Sequence, residues 1–235
     1  MAETKGAQSI MEEKELQELI ALTKRSLLPG LEIYSVNTGD PVRVNSAPED
    51  WKLLGAGNYA GVFAHRDYPD TVVKVYAPGR EGWESESEVY RKLGVHPAYS
   101  TCYYAGEHDG YYYLILKRLK GKTLYQCLIE GVPIPKSAID DIDGALEYAR
   151  SRGLNPHDVH GKNVMVSDGR GVVVDISDFL KDESCTMWDD LKRAYNRIYM
   201  PFLSRNPVPV PEWVMNGVRK GYRFMRHSSV LGRSS

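Results

Sequence analysis

Apolar positions follow two different patterns along the chain. Between Trp51 and residue 118 they form short strand-like runs separated by turn residues, at 51–55, 60–66 and 71–76 and again at 100–105 and 111–118. A helical stretch, 82–94, lies between the third and fourth runs and ends at Gly94. Asp109-Gly110 between two alternating runs predicts a tight hairpin. After Gly121 the repeat lengthens to helical spacing, predicting helices at 123–129, 136–152, 186–203 and 211–226. Two short strands, 162–166 and 171–175, interrupt that half around Ser167-Asp168-Gly169. Ahead of the strands, Ile10, Leu16, Leu19, Ile20 and Leu27 share one face of a helix at 10–28, stopped by Pro29-Gly30. Residues 31–48 read as a loop with room for a short strand, and residues 1–8 as disordered.

A strand-rich half followed by a helix-rich half predicts an α+β fold in two lobes, with the seam near 118–122. The organisation expected is an N-terminal extension (1–48), a small antiparallel lobe with one helix (49–120) and a mainly helical lobe (121–235).

Composition narrows the function classes. The 235 residues carry 30 Lys and Arg against 31 Asp and Glu, so net charge gives no argument for a nucleic-acid or membrane partner. Cys102, Cys127 and Cys185 have neither disulfide-framework nor zinc-ligand spacing, which predicts a reducing, cytoplasmic setting. No apolar run reaches the roughly 18 residues of a membrane span, and Met1 to Gln8 does not read as a secretory signal. Trp51, Trp83, Trp188 and Trp213 are expected to be packing anchors.

Several segments carry candidate chemistry. Gly55-Ala56-Gly57-Asn58-Tyr59-Ala60-Gly61-Val62 is either an ordinary glycine-rich hairpin or a loop whose backbone N–H groups cradle phosphate. No helix follows it, which argues against dinucleotide binding. Lys74, flanked by valines, points to the opposite face from its neighbours. It is either a solvent-facing edge lysine or a phosphate partner. Of the glutamates in 84–88, Glu86 shares a face with Val89, Tyr90 and Leu93, so it is the one able to turn inward and pair with Lys74. Pro156-His157-Asp158-Val159-His160-Gly161-Lys162-Asn163 precedes a β-pair, and Asp175 closes its apolar run. A carboxylate there is costly unless paired or bound to metal.

In this order and spacing the motifs resemble those of the protein-kinase superfamily over roughly 51–200. The resemblance implies ATP and Mg²⁺ as cofactors. Asp158 would be the catalytic-loop aspartate, Asn163 and Asp175 the metal ligands, and Lys74 the phosphate-pairing lysine held by Glu86. Leu116 would be the gatekeeper, with Lys117 to Leu119 as the adenine-facing hinge. His157 replaces the usual arginine, Asp175 is followed by Ile176-Ser177 in place of Phe-Gly, and no Ala-Pro-Glu is found. Only 12 residues separate Asp175 from Trp188, which resembles the compact RIO kinases, and leave no room for a regulated activation loop. His160 resembles aminoglycoside and choline kinases. Asp190 would brace the catalytic loop. The implied activity is phosphoryl transfer from ATP, first to a Ser/Thr hydroxyl of a protein. The alternatives are a small-molecule acceptor, or a nucleotide-binding pseudokinase acting as a scaffold.

Overall fold

The computed structural model describes residues 11–221 apart from Thr38 and Arg219. The expected disorder at 1–8 and the end of the last helix lie outside these residues. Helix α1 (Glu13–Leu22) continues through wider π-type turns at Thr23–Leu27 and a single tight turn at Leu28–Gly30. The segment expected to be mostly loop instead forms an antiparallel pair, β1 (Glu32–Tyr34) and β2 (Arg43–Ser46). Next come β3 (Trp51–Ala56), β4 (Ala60–His65), β5 (Thr71–Tyr76), α2 (Trp83–Leu93), β6 (Cys102–His108) and β7 (Tyr111–Lys117). The chain continues with β8 (Lys122–Thr123), α3 (Leu124–Glu130), α4 (Lys136–Ser151), β9 (Val164–Ser167), β10 (Arg170–Val173) and α5 (Met187–Ala194). A π-type helix follows at Tyr195–Leu203, with Pro201 inside it.

Strands β3 to β7 form one antiparallel sheet in the order β3-β4-β5-β7-β6. Alternation along β5 decides what each face does. Val73 and Val75 point to one side, where Phe63, Tyr113 and Ile115 bury Leu19, Leu27, Leu28 and Ile33 of the N-terminal segment. Val72, Lys74 and Tyr76 point to the other side, toward α2 and the helical half. Both faces are therefore covered at the centre of the sheet, while the edge strand β3 is exposed beyond Trp51.

A second sheet, β10-β9-β8, lies in the helical half. Its hairpin turns at Asp168-Gly169, both with positive φ (48° and 77°), and Arg170 pairs directly with Ser167. Two consecutive left-handed residues suit a two-residue hairpin, which is why Asp-Gly stands there. The strands therefore run 164–167 and 170–173, and Asp175 lies in the loop beyond β10 instead of on the strand.

The core is continuous across the expected seam. Buried Val89, Tyr90 and Leu93 of α2 share one cluster with Leu124, Ile142, Leu146 and Phe179. Tyr99 donates to the Ala145 carbonyl (2.6 Å) and Tyr148 to the Leu93 carbonyl (2.6 Å), binding the α2–β6 connection to α4. Trp51 and Trp188 are buried as expected, but Trp213 is 77% exposed and anchors nothing among the described residues.

Helix α4 packs against β10 so closely that a Cβ on Gly171 would sit 2.0 Å from the Ala138 carbonyl oxygen. That obstacle is backbone and cannot rotate away. Gly171→Ala should destabilise the chain by about 3 kcal/mol, the upper end of ordinary overpacking costs. A urea-unfolding midpoint indistinguishable from that of the unmodified chain would show that β10 and α4 can part without cost.

Candidate functional site

Strand β5 and helix α2 bring two opposite charges together inside the protein. Lys74 Nζ donates to both oxygens of Glu86, at 2.8 and 2.6 Å. The side chains are 13% and 2% exposed. The inward turn of Glu86 follows from the helix itself, because Glu86, Val89, Tyr90 and Leu93 are its buried residues. Tyr76, two positions beyond Lys74 on the same strand face, donates its hydroxyl to Glu86 Oε2 at 2.5 Å.

The second half of the site comes from the loops around β9 and β10. Asp158 adopts a left-handed backbone (φ 56°), unusual for a residue with a Cβ. Its carbonyl accepts from the His160 N–H (3.0 Å) and from the Asn163 side-chain amide (3.0 Å). Asn163 in turn accepts, through its backbone carbonyl, from the N–H of Val174 (2.9 Å), one residue before Asp175. These bonds fix Asp158, Asn163 and Asp175 relative to one another. Asp175 Oδ1 lies 4.0 Å from Lys74 Nζ and accepts from the backbone N–H and the hydroxyl of Ser177, at 3.1 and 2.7 Å. Glu86 and Asp175, from distant stretches of chain, thus meet at Lys74, and Asp158 and Asn163 are tied by these bonds to the loop that carries Asp175.

Charge states follow from burial set against partners. Burial lowers Lys74, but Glu86 and Asp175 outweigh it and leave the amine above its ordinary value, firmly a cation. Burial lifts Glu86 above the ordinary glutamate range, against the pull of Lys74. Burial also pushes Asp175 upward, and there Lys74 and the two Ser177 bonds win, holding it below the ordinary aspartate value. Asp158 is raised, first by burial and then by Asp178 and Asp175, with His160 opposing. One carboxylate is therefore held anionic while its neighbour is made more basic.

The donor set suits a hard divalent cation. The amide nitrogen of Asn163 is occupied by Asp158, which leaves its oxygen as the group's acceptor, and the residue before the ionised Asp175 is bonded to the Asn163 backbone. Magnesium takes one or two such oxygens and completes its shell with water and phosphate. Among the described residues no group of three or more His, Cys, Asp or Glu side chains is placed to form an all-protein metal cage.

A Bacillus subtilis (strain 168) protein named "Putative serine/threonine-protein kinase YrzF" is 33% identical over 192 residues, spanning 80% of this chain and 86% of its own. The chain belongs to this kinase-like family. No family model matches it.

The remaining sequence-predicted residues of this kinase-like chain lie in the β3–β4 hairpin, in β7 with the turn after it, and in α5. Gly55 and Gly57 have open space where a Cβ would be, and Asn58 is exposed at the loop tip. The N–H of Gly57 donates to Ala60 (2.9 Å) and its carbonyl accepts from Val42 (2.9 Å), so this glycine's backbone closes the hairpin and ties it to the N-terminal segment. Tyr59 is partly buried, and its carbonyl accepts from Ala77 (3.0 Å). A Cβ on Gly61 would press on the Phe63 ring (3.0 Å) and on Ile33 (3.3 Å), so close packing favours a glycine there. Val62 packs against the core on the Lys74 side. Leu116 is buried in β7, and the Lys117 carbonyl accepts from Ser100 (2.7 Å), ahead of the half-buried Leu119. Asp190 accepts from the Thr186 hydroxyl (3.1 Å) and pairs with Arg193 one turn along its own helix.

Four contributors escaped sequence reading. Tyr76 and Ser177 reach the charged centre through single hydroxyls, and Asp178 adds a third negative charge acting on Lys74 and Asp158. The i, i+2 spacing of Tyr76 from Lys74 in a strand was the available signal for the first. A fourth, Asn155, pins the short segment after Asp175 by donating to the Lys181 and Glu183 carbonyls (2.7 and 3.0 Å).

Proposed function

We propose that this protein is an ATP- and Mg²⁺-dependent phosphotransferase of protein-kinase type, acting on a Ser/Thr hydroxyl of a protein substrate. The observation that carries the reading is the Lys74–Glu86 pair facing Asp175 across 4.0 Å. In this reading β3 to β7 with α2 (49–120) are a small lobe, 121–235 a reduced helical lobe of RIO or aminoglycoside-kinase-like economy, and 1–48 an extension packed behind the sheet. The setting is cytoplasmic, in keeping with three free cysteines.

Lys74 neutralises the α/β-phosphates and Glu86 fixes its direction. Loop 55–62 covers the phosphates, and Leu116, Lys117 and Leu119 border the base. Asn163 and Asp175 hold Mg²⁺, which when bound supplies charge neutralisation on the phosphates. The acceptor oxygen attacks the γ-phosphorus as the bond to the ADP oxygen breaks, and the hydroxyl proton passes to Asp158. Positioning and electrostatics contribute most of the acceleration.

The test is transfer of labelled γ-phosphate by the purified full chain to a library of Ser/Thr peptides, with Mg²⁺ and with chelator, alongside Lys74→Met. Mg²⁺-dependent transfer lost in the variant supports the reading. Mg²⁺-ATP binding without transfer to any acceptor, or to water, would make the chain a scaffold.

The same reading sets a pH dependence. Asp158 accepts a proton only as the anion, and its carboxyl is held above the ordinary aspartate value of about 3.9. Turnover should therefore be full at neutral pH and fall as pH drops through a midpoint above that value. A pH–rate profile with its acid limb at or below about 3.9 would refute the raised carboxyl.

Activity should also be independent of phosphorylation after Asp175. That segment is short and already pinned by Asn155, and His157 offers no bidentate partner for a phosphate. Phosphatase treatment, and Ser184→Ala with Thr186→Ala, should leave turnover within threefold. Ser177 is excluded from this test because its hydroxyl serves Asp175 directly. A tenfold loss in both arms would show a phosphorylation switch.

A further inference from the structure

Glu86 holds more partners than an ion pair needs. Its Oε2 accepts from Lys74 at 2.6 Å and from the Tyr76 hydroxyl at 2.5 Å, while Oε1 accepts from Lys74 at 2.8 Å. Tyr76 is 1% exposed and lies in the core cluster that includes Val89, Tyr90 and Leu93 of α2. Its hydroxyl is thus buried and committed to one acceptor. A kinase-like helix can move its glutamate away from the lysine and open the site. Here such a swing would take both hydrogen bonds from Lys74, leaving it Asp175 at 4.0 Å, and would leave the buried Tyr76 phenol without its acceptor. An unsatisfied buried group carries its full desolvation penalty.

From this geometry we infer that Tyr76 is a positioning residue that locks Glu86 onto Lys74, so that the pair is closed before nucleotide arrives. This rests on the phosphotransferase reading for its consequence, though the lock itself is a property of the ligand-free chain. The lock fits the short segment after Asp175. A chain without a long activation loop to bring its helix into place needs the pair formed constitutively. Tyr76 reaches Glu86 because residues two apart in a strand share a face.

The lock also predicts how Glu86 titrates. The groups acting on it are Lys74 and Tyr76 from β5, Tyr90 from its own helix, Cys102 from β6 and Asp175 from the loop after β10. The Tyr76 hydroxyl donates to the ionised carboxylate and favours it. Removing that donor should let burial raise Glu86 further.

Two measurements on the full chain test this. The first follows the Glu86 carboxyl by carbon-13 NMR against pH in the nucleotide-free protein and in Tyr76→Phe, assigned by its absence in Glu86→Gln. An upward shift in Tyr76→Phe, with an unchanged melting temperature, is expected. The second measures Mg²⁺-ATP affinity by calorimetry for Tyr76→Phe, Glu86→Gln and the double variant. Tyr76→Phe should weaken binding three- to tenfold, and the double variant should bind no worse than Glu86→Gln alone, because the phenol acts only through Glu86. An unshifted carboxyl overturns the lock, as do additive losses in the cycle, which would mark Tyr76 as packing. A shifted carboxyl in a chain that binds no Mg²⁺-ATP upholds the lock and sinks the nucleotide reading instead.

Discussion

Asp175→Asn should lower Mg²⁺-ATP turnover by at least 10²-fold, about 2.7 kcal/mol of barrier, and make nucleotide affinity insensitive to Mg²⁺. The substitution removes one negative charge and little else. Asparagine keeps an oxygen that can accept from the N–H and hydroxyl of Ser177, as Asp175 Oδ1 does at 3.1 and 2.7 Å. Lys74 keeps both bonds to Glu86. The lost attraction to Lys74 spans 4.0 Å from a carboxylate that is 40% exposed, so after solvent screening it contributes under about 1 kcal/mol to folding. The pH sign agrees. A carboxyl held below its ordinary value stabilises the fold above that value and loses the contribution only as pH falls through the lowered one, so Asp175 is fully anionic at neutrality. Melting curves should nearly coincide for the two proteins while a magnesium titration of nucleotide binding separates them. Equal Mg²⁺-ATP affinity and turnover in the variant would remove Asp175 from the metal site.

How much of this was legible beforehand depended on whether a residue's position follows from a local period. Strand alternation placed Lys74 opposite Val73 and Val75, and helical spacing placed Glu86 with Val89, Tyr90 and Leu93, so their meeting could be anticipated. That the core runs on across the expected seam at 118–122 was hidden, because no period reports tertiary contacts. Tyr99 and Tyr148 reach across it with side-chain hydroxyls. The β1–β2 pair was hidden by its length, since strands of three and four residues carry too little alternation to show. Gly61 illustrates how two causes can leave one mark. A phosphate-facing loop and a ring pressed against the backbone both select glycine, and only the coordinates reveal Phe63 and Ile33 beside it. Trp213 was misplaced for the opposite reason, because bulk alone does not bury a side chain.

Asp158→Asn should reduce turnover by 10²- to 10⁴-fold, the range for a positioned acid–base group, with Mg²⁺-ATP affinity nearly unchanged. Asparagine is the informative replacement here. Asp158 sits at φ 56°, where a Cβ costs about 1 kcal/mol or more unless the side chain is Asn or Asp. Alanine would strain that backbone, and with it the carbonyl that receives His160 N–H and the Asn163 amide. A loss in Asp158→Ala would therefore mix disturbed metal binding with lost proton transfer. Asparagine keeps the turn, and with it Asn163, while removing the ability to take a proton. The two variants together separate the roles. Asn should lose turnover alone, and Ala should lose turnover and some Mg²⁺-ATP affinity as well. The acid limb of the pH–rate profile should also vanish in Asp158→Asn, since the group that titrates there is gone. Turnover in Asp158→Asn within about threefold of the unmodified chain, or an acid limb that persists in it, would assign the proton acceptor elsewhere. Asp178 is then the next candidate, as its charge already acts on Asp158 and Lys74.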